Sequence, residues 1–164
     1  MDWDEPLTET PMVSVIMNCY NSDEYLKEAI DSVLAQSYKN WGIVFWDNQS
    51  TDDSAKIFNS YDDERLRYFL APEFTKLGQA RNLAISQALG DWLGFLDCDD
   101  VWVKTKLEKQ VQLFTKGKPL IYSRFRFIDQ DNTIQIEKLV FLKSIANTLK
   151  TGMNILGVDT PEKM

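Results

Sequence analysis

Blocks of continuous apolar residues alternate along this chain with segments whose apolar positions recur at helical spacing. VSVIMN (13–18) is an unbroken apolar run with β-branched members. It predicts a strand buried on both faces and ends in the turn-forming CYNSDE (19–24). Leu26, Ala29, Ile30, Val33 and Leu34 then share one helical face. With Ser22 as N-cap and Asp23 and Glu24 at the positive end, a helix is predicted over 23–36. WGIVFW (41–46) is a second buried strand and runs into DNQSTDD (47–53), where Ser50 or Thr51 caps a helix reaching Tyr61. A shorter strand over 65–70 and a loop with Pro72 follow. Next comes a helix with Leu77, Ala80, Ala84 and Ala88 inward, stopped by Gly90. DWLGFL (91–96) is the fourth strand, ending in DCDD (97–100), and a helix over 104–115 sets Leu107, Val111 and Phe114 inward. PLIYSRFRFI (119–128) reads as a fifth strand, turned by DQDN (129–132) into TIQIEKLV (133–140).

Strands alternating with helices at this spacing imply right-handed crossovers. The expected fold is α/β, a Rossmann-like, mostly parallel sheet with helices on both faces. Such sheets bind ligands beyond the carboxyl ends of their strands. CYNSD, DNQSTDD and DCDD each follow a strand directly, so all three should converge on one edge. The chain divides into an acidic leader over 1–11, one domain over 12–138, and a C-terminal helix and tail over 139–164. In that last stretch Leu139, Leu142, Ile145, Ala146 and Leu149 take helical spacing, and Gly152 stops it.

Composition narrows the chemistry. The 164 residues suit one domain with a real core. A net charge of −7 argues against a general nucleic-acid binder but not against one small anionic ligand bridged by a divalent cation. There is no histidine and there are only two cysteines, Cys19 and Cys98, which disfavours structural zinc and removes every histidine-based triad. No apolar run approaches the ~20 residues of a membrane span. The acidic start MDWDEPLTET lacks the form of a signal peptide, so a cytoplasmic protein is expected and a structural disulfide is not.

Asp97 and Asp99 lie at i and i+2 just past a buried strand, with Asp100 beside them. Hard divalent cations prefer such oxygen ligands, and Mg²⁺ or Mn²⁺ keeps positions open for phosphates. The same residues also read as a solvated acidic loop that caps the next helix. Together with VSVIMNCYN (13–21), SVLAQSYKNW (32–41), WDNQSTD (46–52) and LGQARNLAI (77–85), the segment LDCDDVW (96–102) resembles the family 2 glycosyltransferases, which have the GT-A fold of nucleotide-diphospho-sugar transferases. The five pieces occur in order over roughly residues 12 to 125.

The resemblance implies that Asn18, Tyr20 and Asn21 hold the nucleobase. It implies that Asp47 and Asn48 contact base and ribose, with Asn48 standing where many relatives carry a second aspartate. Arg81 reaches the diphosphate or braces the acidic loop, its alternative being a plain ion pair with Asp97, Asp99 or Asp47. Asp99 is the expected direct metal ligand and Asp97 the contact to ribose or a metal-bound water. Cys98 is a spacer in the DxD motif, Cys19 is pocket wall, and Trp102 reads as packing rather than sugar stacking. Neither cysteine has a basic neighbour that would mark an activated thiolate.

The implied reaction is transfer of a sugar from a nucleotide-diphosphate sugar, UDP-sugars foremost, to a hydroxyl of a glycan or lipid-linked acceptor. It is assisted by Mn²⁺ or Mg²⁺ and inverts the anomeric centre. No transmembrane segment is expected, and any work at the inner face of the membrane would be peripheral. Asp129, Asp131, Glu137, Asp159 and Glu162 follow the fifth strand, and none sits in a segment matching the family's catalytic base, so none is assigned. The alternative is a donor-binding fragment without the acceptor half, and without turnover. A haloacid-dehalogenase-type phosphatase would carry its DxD after the first strand, and a nucleotidyltransferase would want a basic, Gly-rich loop there. This chain has NCYN (18–21) at that place.

Overall fold

A computed structural model of the chain describes residues 12–114 and residue 121. The leader over 1–11, the strand and hairpin expected over 119–140 apart from residue 121, the boundary at 138, and the helix and tail over 139–164 lie outside the described residues.

The described elements run β1 (Val13–Cys19), α1 (Asp23–Leu34), β2 (Trp41–Asp47), α2 (Ser54–Phe58), β3 (Leu66–Leu70), α3 (Leu77–Ile85), β4 (Trp92–Phe95) and α4 (Lys106–Phe114). The strands form one sheet in the order β3-β2-β1-β4. Every pairing is parallel, with Val13 opposite Trp41 and Trp92, and Ile43 opposite Leu66. This is the alternating β/α sheet that the apolar pattern predicts.

β1 and β2 are central strands, and their side chains alternate between two apolar layers. Val13, Val15, Met17, Ile43 and Phe45 pack with Leu26, Ala29, Ile30 and Val33 of α1, Phe58 of α2, and Leu107 and Val111 of α4. Ile16, Val44 and Trp46 face the other way, onto Ala80 and Ala84 of α3. The period of two in the strands against 3.6 in the helices is what lets each strand feed both layers. Trp102 joins the first layer, the packing role expected of it, and its ring comes within 3.0 Å of where a Cβ on Gly94 would stand.

Several boundaries depart from expectation. α2 is a single short helix with Asp53, not Ser50 or Thr51, at its N-cap. The groups of Ser50 and Thr51 are engaged with Asn21 instead, and only Ser54 and Phe58 are buried to anchor the helix. α3 ends at Ile85, before Gly90. The chain then turns so that the amides of Leu89 and Gly90 donate to Ser14 Oγ. A Cβ on Gly90 would come within 2.6 Å of the Met12 carbonyl oxygen, so the turn excludes any side chain there. Leu77, expected inward, is 58% exposed, because the helix begins at the sheet's open rim rather than over the sheet. Ser22 occupies the N-cap of α1 but makes no side-chain cap bond.

α4 is tied to α1 by Gln36, which is fully buried. Its Nε2 donates to the carbonyls of Ser32 and Val103, and its Oε1 accepts from the Leu107 amide. The Trp102 amide donates to Ser32 Oγ. These bonds fix where the chain leaves the segment over 97–101. No helix among the described residues is long and apolar enough to cross a membrane.

Candidate functional site

The three ladders continue past the strands themselves. Asn48 N donates to Cys19 O, Ala71 N to Asp47 O and Leu96 N to Ile16 O, each at 2.8–3.1 Å. β1, β2 and β3 therefore end level, with Cys19, Asp47 and Leu70 abreast, and β4 ends at the same side of the sheet three residues earlier, with Phe95 opposite Ile16. The loops after β1, β2, β3 and β4 share one rim, and β1 alone separates the Asp47 strand from the strand leading to Asp97. Two strand spacings make that separation about 10 Å across the sheet. The strand order also reverses at β1: β2 and β3 lie to one side and β4 to the other. That is where a crevice opens in such sheets.

The loops after β1 and β2 are locked together. Asn21, in the left-handed region at φ 51°, a region asparagine tolerates, accepts from the amide and hydroxyl of Thr51 through Oδ1, and its own amide donates to Ser50 Oγ. Asp52 accepts from the amides of both Asp23 and Ser54, the first residues of α1 and α2. Burial pushes the Asp52 carboxyl up, but the hydrogen bonds from Ser54 and Asp23 outweigh it and hold the group below the usual carboxylate range. Asp52 thus does for α1 what the Ser22 side chain was expected to do.

Asp47 is 1% exposed at the end of β2. Its Oδ1 accepts from the Ser50 amide at 2.7 Å and its Oδ2 from the Tyr68 hydroxyl at 2.6 Å. Burial and the neighbouring Asp47 carboxylate push the Tyr68 hydroxyl well above the ordinary phenol range, so it stays a donor. Tyr68→Phe is expected to destabilise the fold by about 1–3 kcal/mol, since one buried carboxylate oxygen loses its donor. Urea unfolding measures this, and an unchanged midpoint would show that the bond contributes nothing.

Asn48, 6% exposed, spends both ends of its amide on the loop after β3. Nδ2 donates to Thr75 O at 2.7 Å, and Oδ1 accepts from Thr75 N and Oγ1 at 3.2 Å each. Gln49 Nε2 donates to Ala71 O in the same loop. The residue expected to meet base and ribose acts in this structure as a clamp on the 71–75 loop. Beside that clamp stand two exposed rings, Tyr20 and Phe74, with centroids 4.8 Å apart and planes at 60°.

At the β1–β4 mouth, Arg81 of α3 forms an ion pair with Asp97, Nη2 to Oδ1 3.1 Å, over the ring of Phe95. Both polar atoms of the Asn18 side chain and Nε of Arg81 are buried without a protein partner. Such groups are costly unless a ligand or water meets them. Asp97, Asp99 and Asp100 are exposed. Burial, and then the charges of Asp99 and Asp97, raise the Asp100 carboxyl. That like-charge crowding is what a cation relieves. Among the described residues no three His, Cys, Asp or Glu side chains form a closed metal cage. Mg²⁺ and Mn²⁺ do not need one, since they bind through one or two carboxylates plus phosphate and water. The residues present fit such an ion.

Below the rim, Cys19 and Cys98 are free, buried thiols. Cys98 Sγ donates to the Asn18 carbonyl at 3.4 Å, and Cys19 Sγ lies 3.7 Å from Ser50 Oγ. The proximity of Cys98, together with the hydroxyls of Ser54, Ser50 and Ser22, outweighs the effect of burial and lowers the Cys19 thiol to about 7. A cluster of donors replaces the basic neighbour that sequence reasoning looked for. Sequence reasoning also missed Asp52, Tyr68, Gln36 and Phe74. The Asp-Asp pair ahead of Ser54 is a legible cap signal, and an aromatic in the polar loop after a strand is a legible rim signal. Nothing in the sequence marks the other two.

Comparison with known proteins agrees with this geometry. The sequence model of glycosyl transferase family 2 matches residues 14–160. The UDP-Glc:alpha-D-GlcNAc-diphosphoundecaprenol beta-1,3-glucosyltransferase WfgD of Escherichia coli is 33% identical over 125 residues, 75% of this chain and 49% of that protein. S. aureus TarS, solved in complex with UDP-GlcNAc, superposes with a TM-score of 0.61 at 28% identity, covering 64% of this chain and 31% of that one. The mannosyltransferase PcManGT from Pyrobaculum calidifontis, in complex with GDP-Man and Mn²⁺, gives 0.54 at 27% identity, covering 62% of this chain and 32% of that one. The chain spans about half the length of the first curated relatives it matches. On its order of motifs, its parallel sheet and this match over residues 14–160, the chain belongs to glycosyl transferase family 2.

Proposed function

We propose that this chain binds the donor in a sugar transfer from a nucleotide-diphosphate sugar, UDP-sugars foremost, to a hydroxyl of a glycan or lipid-linked acceptor in cell-envelope polysaccharide synthesis. The observation that carries the reading is the single rim on which the Tyr20, Asp47 and Asp97–Asp99 loops meet. TarS with UDP-GlcNAc and PcManGT with GDP-Man and Mn²⁺ support the donor class and a divalent ion, and the name of WfgD supports a lipid-linked acceptor. Work on such an acceptor fits a cytoplasmic protein that meets the inner face of the membrane peripherally.

In this reading Asp99 holds Mn²⁺ or Mg²⁺ directly, and Asp97 meets the ribose or a water on the ion. A cation held there supplies positive charge against the departing nucleoside diphosphate. Arg81 fixes Asp97 through their ion pair and offers its unpartnered Nε–H to the diphosphate. Cys98 sets the spacing of the two aspartates, and its bond to the Asn18 carbonyl holds that loop against β1. Tyr20 receives the base, and Asn21 and Asp47 shape its pocket through their bonds to the loop after β2. The acceptor hydroxyl attacks the anomeric carbon opposite the diphosphate, with inversion. The base belongs to the acceptor half, and none of the residues above is assigned to it.

The test is a thermal melt of the full chain with UDP, with Mn²⁺, and with both. A rise only with both supports the reading, because a ligand that binds the native state alone stabilises it. No rise with any nucleoside diphosphate overturns it. Released UDP in the presence of UDP-sugar and acceptor then separates turnover from donor binding alone.

A further inference from the structure

Resting on that donor-binding reading, we propose that Cys19 and Cys98 form a reversible redox pair, and that the disulfide between them draws the loops after β1 and β4 together and weakens donor binding. The β1–β4 ladder pairs Val13 with Trp92 through Ile16 with Phe95, and the Leu96 amide extends it by donating to the Ile16 carbonyl. The same register three residues on sets Cys19 opposite Cys98. Cys98 Sγ donates to the carbonyl of Asn18, the residue before Cys19, so the chain after β4 still runs beside β1 at that point. Both cysteines lie in the same apolar layer, 1% and 5% exposed, and their thiols are hydrogen-bond neighbours. Neighbouring strands stand about 4.7–4.9 Å apart, inside the roughly 4.4–6.8 Å between Cα atoms that a disulfide spans. The chain has no third cysteine, so within one molecule the two thiols have only each other to bond.

The oxidant is a small peroxide such as hydrogen peroxide. One sulfur attacks a peroxide oxygen, the O–O bond breaks, and the departing hydroxide takes the thiol proton as water, leaving a sulfenic acid. The second sulfur attacks the first, the S–O bond breaks, and the hydroxyl leaves as water with the second thiol proton. Two electrons pass from the sulfurs to the peroxide. Bonded sulfurs sit about 2.05 Å apart, well inside any non-bonded contact. To close that gap, Cys98 Sγ gives up the Asn18 carbonyl and Cys19 Sγ leaves Ser50 Oγ. Asp97 and Asp99 flank one cysteine, and Asn18 and Tyr20 flank the other. The displacement therefore passes directly to the groups assigned to the ion and the nucleotide, where a misplacement of about 1 Å can cost roughly 100-fold.

The full chain is treated with hydrogen peroxide, desalted, and read in two ways. Non-reducing peptide mapping is expected to find one linked pair carrying Cys19 and Cys98, lighter by two hydrogens than the separate thiol peptides. Titration calorimetry in Mn²⁺ is expected to show UDP binding weakened roughly 10- to 100-fold. Dithiothreitol, removed before the titration, should restore it, whereas methionine sulfoxide needs its own reductases. Cys19→Ser should give no linked peptide, and whatever UDP affinity it has should survive peroxide. Absence of the linked peptide in the parent, or a linked protein that binds UDP as the reduced one does, overturns the proposal. So does a Cys19→Ser chain that loses UDP on peroxide treatment as the parent does. Should that variant not fold, reversal by dithiothreitol decides in its place. A reduced parent that does not bind UDP overturns the donor-binding reading and the effect on binding with it, while the peptide map still reports on the bond, so the two failures are told apart.

Discussion

Asp99→Ala is expected to abolish the joint stabilisation by UDP and Mn²⁺ while leaving the ligand-free melting temperature unchanged. Asp99 is exposed at the mouth of β4 and carries no structural bond in the fold, unlike Asp97 with its Arg81 partner. Removing its carboxylate therefore costs the empty fold little. With both ligands near 100 times their dissociation constants, binding stabilises the native state by about 2.7 kcal/mol. For a chain of this size that is a rise of roughly 5–10 °C. The variant should lose most of it, and chelation of the metal should have the same effect on the parent protein. Asp62→Ala, the same charge change at an exposed site before β3, should keep the full rise. If Asp99→Ala melts like the parent with both ligands present, the cation is not held there.

Phe45→Ala should produce the largest loss of stability, about 3–5 kcal/mol. The ring is fully buried in β2 and stacks on Phe58 at 4.2 Å and Tyr68 at 5.9 Å, joining strand to α2 and to β3. Truncation leaves a cavity that three elements border, and a parallel sheet buried on both faces cannot collapse freely into it. The loss should reach the rim as well, because the Tyr68 ring that leans on Phe45 carries the hydroxyl bonded to Asp47. Urea unfolding measures the first effect and nucleotide titration the second. A change below about 1 kcal/mol would mean that the site repacks.

The order of elements was legible because it follows from burial alone. VSVIMN and WGIVFW are apolar at most positions, with no polar alternation, since both faces of the sheet are covered, and that covering needs the helices between them. The rim was legible for the same reason: parallel strands deliver their following loops to one edge. The direction of side chains on that rim was not legible. Whether Asn48 faces a ligand or the protein depends on where the loop after β3 passes, 27 residues later in sequence. Tyr68 reads as an ordinary strand aromatic until the β2–β3 register sets it opposite Phe45, within reach of Asp47. Leu77 fits a helical stripe by spacing, but the stripe assumes that the helix lies on the sheet for its whole length. The lowered Cys19 thiol arises from neighbours on three separate segments, which no local pattern carries.

Asp52 joins the first turns of two helices that otherwise belong to different β–α units. With the Asn21–Thr51 and Ser22–Ser54 bonds beside it, the two turns become one plate rather than a pair of hinged fingers. A ligand pressing on one edge of such a plate meets a surface already set, so its ordering entropy was spent when the chain folded and is not charged again at docking.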